Sequence, residues 1–258
     1  MIPVSANMKR SDMCRRSTTL LVFVSLLSWL PARPCVAKPP STQPVGEKVP
    51  SEDAVLKDLH SMGLINGCTN IFRCACPVRD IAKQMATTQP SAADLAAGKQ
   101  RMQRLYDLGI RTVISFQNPL GDDDHPKEVA RAVALEKQTA AEVGLQYVAY
   151  PISNAGKNSL QDMSDQAVLN LLDPISVAIF KYAQTGGVAF HCSAGHDRTG
   201  IVAAYLRLKY EHWPVEQAID EMRRYGHNWP KFSSNGGISS WHEDHLRAIA
   251  KMIESGNP

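Results

Sequence analysis

Glycine and proline number only 16 each among 258 residues, far short of the one-third glycine of a collagen-like chain. No heptad pattern is sustained and no internal repeat is visible, which excludes a long coiled coil and a solenoid. Cysteine is sparse too, and six in a chain of this length do not make a disulfide scaffold. Long apolar runs are lacking. The clearest, LLVFVSLLSWL from Leu20 to Leu30, has 11 residues, where a membrane-spanning helix needs about 20. With 44% hydrophobic and 21% charged residues, the chain has the make-up of one compact globular domain with a sizeable core.

That apolar run follows Lys9, Arg10, Arg15 and Arg16 and precedes small residues at Cys35 and Ala37. This is the pattern of a secretory leader over residues 1–37. Residues 38–50 (KPPSTQPVGEKVP) are Pro-rich and polar and read as a flexible spacer, which leaves 51–258 as the folded domain. The expectation is an exported protein, periplasmic or secreted, with no stable membrane span. The formal charge of +3 belongs to the leader, because the remainder carries 23 basic against 24 acidic residues. Nucleic-acid binding therefore lacks its electrostatic footprint.

Beyond the spacer, strand and helix signals alternate. Residues 52–62 read as a short helix. Ser91 caps a helical pattern through Asp107, Gly109 ends it, and Ile110 to Phe116 is β-branched and strand-like. A second helix spans 127–143 and a strand 145–152. A helix at 164–184 is broken or re-capped at Asp173-Pro174. Residues 187–192 (GVAFHC) form a buried-type strand, followed by helices at 198–211, at 214–225 with Pro214 in its first position, and at 239–254. Strands alternating with helices predict an α/β fold, a central mostly parallel sheet flanked by helices.

The chemistry concentrates where strand 187–192 runs into HCSAGHDRTG (191–200). Gly195 permits a tight bend, and Arg198-Thr199-Gly200 opens a helix. A bend of this kind turns successive backbone N–H groups inward and adds the positive helix N-terminus, forming an anion cradle. The same dipoles favour the thiolate of Cys192 at its base, so that thiol is expected to ionise below the ordinary value. Arg198 offers a bidentate fork to two phosphoryl oxygens.

HCSAGHDRTG resembles the phosphate-binding loop of the cysteine-dependent protein tyrosine and dual-specificity phosphatase superfamily. ATTQPSAADL, LGIRTVISFQNP, GLQYVAYPI and RTGIVAAYLRLKYEHWPVEQAIDEMRRYG, all between residues 86 and 226, look like small bacterial dual-specificity-type members. The resemblance implies a tyrosine/dual-specificity phosphatase-like fold and Cys192 as the nucleophile that forms a cysteinyl-phosphate. It further implies Arg198 as a phosphoryl ligand, and Ser193, Ala194, Gly195, His196 and Asp197 lining the cradle with Arg198. Thr199 would support the thiolate. No metal or other cofactor is implied. The partner is a phosphorylated protein or a small phosphomonoester, and oligomeric state is unspecified. A phosphoinositide or inositol-phosphate phosphatase, and a catalytically silent phosphate-binding module, are the alternatives. His196 stands where members handling highly phosphorylated inositols carry lysine, which favours phosphotyrosine-like or simple monoesters.

Leaving-group protonation needs a carboxylic acid. Ser153 and Asn154 follow Pro151-Ile152, where the family usually places an aspartate. Asp162 is the first candidate and Asp197 the second. Asp165 doubles as a helix-capping residue, and Asp122-Asp123-Asp124 with His125 reads as a solvated turn. Cys68, Cys74 and Cys76 have no zinc-finger partners; in an exported chain Cys68 is expected to bridge Cys74 or Cys76, leaving one thiol free or able to pair with Cys192. His242 and His245 in WHEDHL lack metalloprotease spacing and read as a surface helix face.

Overall fold

The computed structural model describes residues 58–119, 125–153, 159–227 and 240–256. The leader, the spacer and the Asp122–Asp124 turn lie outside the described residues. Five strands form one sheet: β1 (His60–Ser61), β2 (Ile71–Cys74), β3 (Ile110–Ser115), β4 (Gln146–Ala149) and β5 (Gly187–His191), in the order β1-β2-β5-β3-β4. Only β1 runs antiparallel to its neighbour. The helices are α1 (Arg79–Gln84), α2 (Ala92–Asp107), α3 (Pro126–Glu142), α4 (Asp165–Ala183), α5 (Asp197–Glu211), α6 (Val215–Arg224) and α7 (Trp241–Glu254). The expected α/β class, with a mostly parallel sheet, is borne out.

The sheet is covered on both faces, so its strands read as apolar runs. Alternation along β5 sends Val188 and Phe190 into a core shared with α4, α5, α6 and α7. Ala189 faces the other way, into a core made with α1, α2 and α3. Each fully buried Val, Ile, Leu or Phe contributes about 1.5–3 kcal/mol. The same alternation decides where the strand's last residues go. His191 follows Ala189 onto the α3 side, and Cys192 packs in the α4–α7 core.

Helix α2 starts as expected. Ser91 accepts from the Asp94 N–H while Asp94 accepts from the Ser91 N–H, a reciprocal cap. Three expectations are corrected. Residues 58–62 are not helical, because His60–Ser61 pairs with Arg73 and Phe72 as an edge strand. Helix α4 runs unbroken through Pro174; the Asn170 carbonyl that loses its partner belongs to an exposed residue, where solvation limits the cost. Pro214 is the N-cap of α6 rather than its first residue. Among the described residues, no helix is long and apolar enough to cross a membrane.

Candidate active site

Strand β5 ends at His191, and the chain bends through Cys192–His196 before α5 begins at Asp197. The bend requires Gly195. Its φ is +77°, and a Cβ there would lie 2.7 Å from the carbonyl oxygen of Cys74 and 2.8 Å from the Ala75 nitrogen. Neighbouring elements hold the loop's carbonyls. The ring Nδ1 of His191 bonds the Cys192 carbonyl at 2.9 Å. The Cys76 N–H donates to the Ser193 carbonyl at 3.1 Å, and Gly200 N–H to that of His196 at 2.8 Å. Arg73 Nη2 donates to the Gly195 carbonyl at 3.0 Å. In a planar trans peptide the next N–H points opposite to the carbonyl. Fixing these four carbonyls therefore turns the amides of Ser193, Ala194, His196 and Asp197 away from the supporting elements, into the bend.

Cys192 and Arg198 are both buried beside this bend. Arg198 Nη1 donates to the carbonyls of Ile152 at 3.2 Å and Phe116 at 3.4 Å, which ties the guanidinium to the ends of β3 and β4. Burial alone would push the Cys192 thiol up. The Arg198 charge and the hydroxyl and amide of Thr199 outweigh it, and the thiol lies below its ordinary range although Asp197 opposes them. Thr199 Oγ1 is buried with no competing partner among the described residues.

Behind the loop, His191 Nε2 meets Glu136 Oε1 at 2.8 Å with both side chains inaccessible. Burial disfavours the imidazolium, but Glu136 and the Cys192 carbonyl raise its pKa overall. Cys76, Glu136 and His191 place ligand atoms within 4.8 Å of one another, a donor set of the zinc type. His191 and Glu136 are in ion-pair contact, but His191 Nε2 and both Glu136 oxygens are buried without a hydrogen-bond partner among the described residues.

The candidate acids occupy different settings. Asp162 ends a single 3-10 turn, Leu160–Asp162, and its carboxylate accepts a long 3.3 Å bond from Ser159. Leu160 N–H bonds back to the Ser153 carbonyl, next to the Ile152 carbonyl that holds Arg198. Asp165 is paired with His245 at 2.6 Å. Asp197 bonds His227 at 2.7 Å, and His227 bonds Ser240 at 3.0 Å. Its charge is felt at Cys192.

Two further expectations are corrected. Cys74 and Cys76 keep free thiols, so neither bridges Cys68. The reason is the sheet itself: Cys68 packs in the α4–α7 core, and Cys74 and Cys76 in the α1–α3 core. His242 and His245 are buried rather than exposed. His242 stacks on Trp241 with ring centroids 3.4 Å apart, and burial pushes its pKa down to about 3.

These opposite thiol shifts give a direct check. Burial, reinforced by Glu136, drives Cys74 and Cys76 up, whereas Cys192 is driven down. Iodoacetate at about pH 6 is expected to alkylate Cys192 and to leave Cys74 and Cys76 untouched, as read by peptide mass spectrometry. Equal labelling of the three in folded protein would refute these thiol environments.

A buried thiol of lowered pKa in an amide-lined bend at the carboxyl end of a parallel sheet, with an arginine opening the next helix, is an arrangement suited to binding a phosphate. A model described as the tyrosine phosphatase family matches residues 91–210. The dual specificity protein phosphatase TpbA of Pseudomonas aeruginosa is 27% identical over 150 residues, which cover 58% of this chain and 56% of that relative. The chain thus spans little more than half of that relative's length. The same-named protein of another strain is 33% identical over 64 residues, 25% of this chain and 28% of that one. Among solved structures, that of P. aeruginosa TpbA superposes with a TM-score of 0.45 at 18% identity, over 77% of this chain and 89% of that one. Over residues 91–210 the chain is similar to the tyrosine phosphatase family, and these matches support the protein tyrosine and dual-specificity phosphatase superfamily for that part of it.

Sequence reasoning missed Arg73, Glu136 and His227. The one available signal was a charged residue in the middle of the apolar stretch IFRC, which strand alternation places on the buried face with Ile71.

Proposed function

We propose that the protein is a phosphomonoester hydrolase of the tyrosine/dual-specificity type, working through a cysteinyl-phosphate. The observation that carries this reading is the lowered Cys192 thiol beside Arg198 in a bend of inward amides. In the first step the Cys192 sulfur attacks phosphorus and the ester P–O bond breaks, the departing oxygen taking a proton from a carboxylic acid. Ser193 to Arg198 hold the phosphoryl oxygens, and their dipoles favour the charge that spreads over them. In the second step water attacks phosphorus, the same carboxylate takes the water's proton, and the P–S bond breaks to restore the thiolate, which Thr199 supports. Asp162 is the proposed acid. Its carboxylate is less committed than that of Asp197, which is fastened to His227. The proposed substrates are phosphotyrosine-like esters, in keeping with His196 at the loop's rim and with the dual-specificity relative. The proposed setting is outside the cytoplasm, after removal of residues 1–37.

Rapid quenching with a radiolabelled phosphotyrosine peptide tests the reading. The label is expected on the proteolytic fragment that contains Cys192. Asp162→Asn is expected to slow that labelling from phosphotyrosine but not from 4-nitrophenyl phosphate, whose leaving group needs no proton; Asp197→Asn is expected not to show this split. Turnover without label at Cys192 refutes the reading.

A further inference from the structure

A cavity of about 320 Å³ opens beside the phosphate loop, lined by Asp58, His60, Arg73, His196, Arg224 and Tyr225 and by the loop's own Ala194 and Gly195. Neither Cys192 nor Arg198 lines it, so it is a place distinct from the cradle, sharing one wall with it. Its charge is lopsided: two arginines, Arg73 and Arg224, face a single carboxylate, Asp58. Arg73 is buried, makes no ion pair among the described residues, and leaves Nη1 without a hydrogen-bond partner among them. The nearby carboxylate of Glu221 already holds Arg207 at 2.9 and 3.1 Å. Among the described residues, Arg224 donates only to the Asp220 carbonyl, at 3.3 Å.

A buried guanidinium without a carboxylate of its own is costly to keep, and an arginine fork matches the oxygens of a phosphate or carboxylate. The walls are rigid. Arg73 stacks on the Tyr225 ring at 4.4 Å, and the His60 and Tyr225 rings lie 4.7 Å apart. We propose that this cavity is a second oxyanion subsite, which receives a phosphate or carboxylate carried on the substrate beside the phosphoester being cleaved. The subsite selects phosphomonoesters bearing two anionic groups. This rests on the phosphatase reading above and adds the substrate class.

Two measurements test it on the full chain. Crystals of Cys192→Ser soaked in tungstate are expected to show two bound oxyanions, one in the loop and one against Arg73 and Arg224, the second lost in Cys192→Ser/Arg224→Gln. In the otherwise unaltered enzyme, phenyl phosphate is compared with aryl phosphates carrying a second phosphate or a carboxylate on tethers of increasing length. One tether length is expected to raise kcat/KM, and Arg224→Gln is expected to cut that preference about tenfold, the worth of one charge-assisted pair. A single tungstate overturns the subsite. Two tungstates with no tether preference overturn its role in substrate selection, leaving a site for free oxyanions. Turnover that survives Cys192→Ser instead overturns the cysteinyl-phosphate reading on which the subsite rests, and so separates the two failures.

Discussion

Cys192→Ser is expected to lower turnover of every phosphomonoester by roughly 10³-fold or more, the scale of removing a nucleophile, while tungstate still binds. The two halves of this result come from separate features. Attack requires an anion on the sulfur, and the site favours it by setting Arg198 and Thr199 against the burial that would keep the thiol neutral. A serine hydroxyl in the same place stays protonated, because the same contacts cannot close its much larger gap to neutral pH. Oxyanion binding depends instead on the inward amides and on Arg198, whose anchors at Phe116 and Ile152 do not involve the sulfur. Losing the thiolate also removes a negative charge next to the bound anion. Steady-state assays with 4-nitrophenyl phosphate and calorimetry with tungstate read the two halves. A serine variant that turns over like the parent would remove the covalent route altogether.

What the sequence revealed of this site is what lies together along the chain. Cys192, Arg198 and Thr199 sit on one strand–bend–helix unit, and their spacing carries the geometry directly. The groups that hold the bend from outside come from elsewhere. Cys76 and Arg73 reach it because β2 pairs with β5 in parallel, with Cys74 opposite His191. Glu136 reaches it because α3 covers the face to which His191 turns. None of these juxtapositions has a sequence spacing. The strands concerned were also the hardest to see, since β1 has two residues and β2 four, too few for alternation to show. The cysteines misled for the same reason: Cys68 and Cys74 are near in sequence, but the sheet passes between them. Helix α2 was legible because its Ser91 cap and the glycine that ends it are local signals.

Arg73 is expected to be a positioning residue, and Arg73→Met to reduce kcat/KM about 100-fold, the scale of losing one oxyanion donor. Its Nη2 is the group that holds the Gly195 carbonyl outward. Gly195 is at positive φ and has no Cβ to resist rotation. Without Arg73 the peptide between Gly195 and His196 can turn over, which withdraws the His196 N–H from the cradle and points a carbonyl oxygen at the phosphate. Arg73 also acts through its charge. Burial lowers its pKa to about 10, partly offset by Glu221, Tyr225 and Cys192, so it remains a cation at neutral pH. Because Cys192 favours the Arg73 proton, Arg73 equally favours the Cys192 thiolate. Removing the cation must therefore raise the thiol's pKa, moving the acid limb of the kcat/KM profile and the onset of iodoacetate labelling to higher pH. Arg73→Lys separates the two actions. It keeps the charge but not the fork, so it is expected to return the labelling pH toward that of the parent and to recover little tungstate affinity. If Arg73→Met lowers only the melting temperature, with both the pH profile and anion binding unmoved, then Arg73 merely fills the core between β2 and the loop.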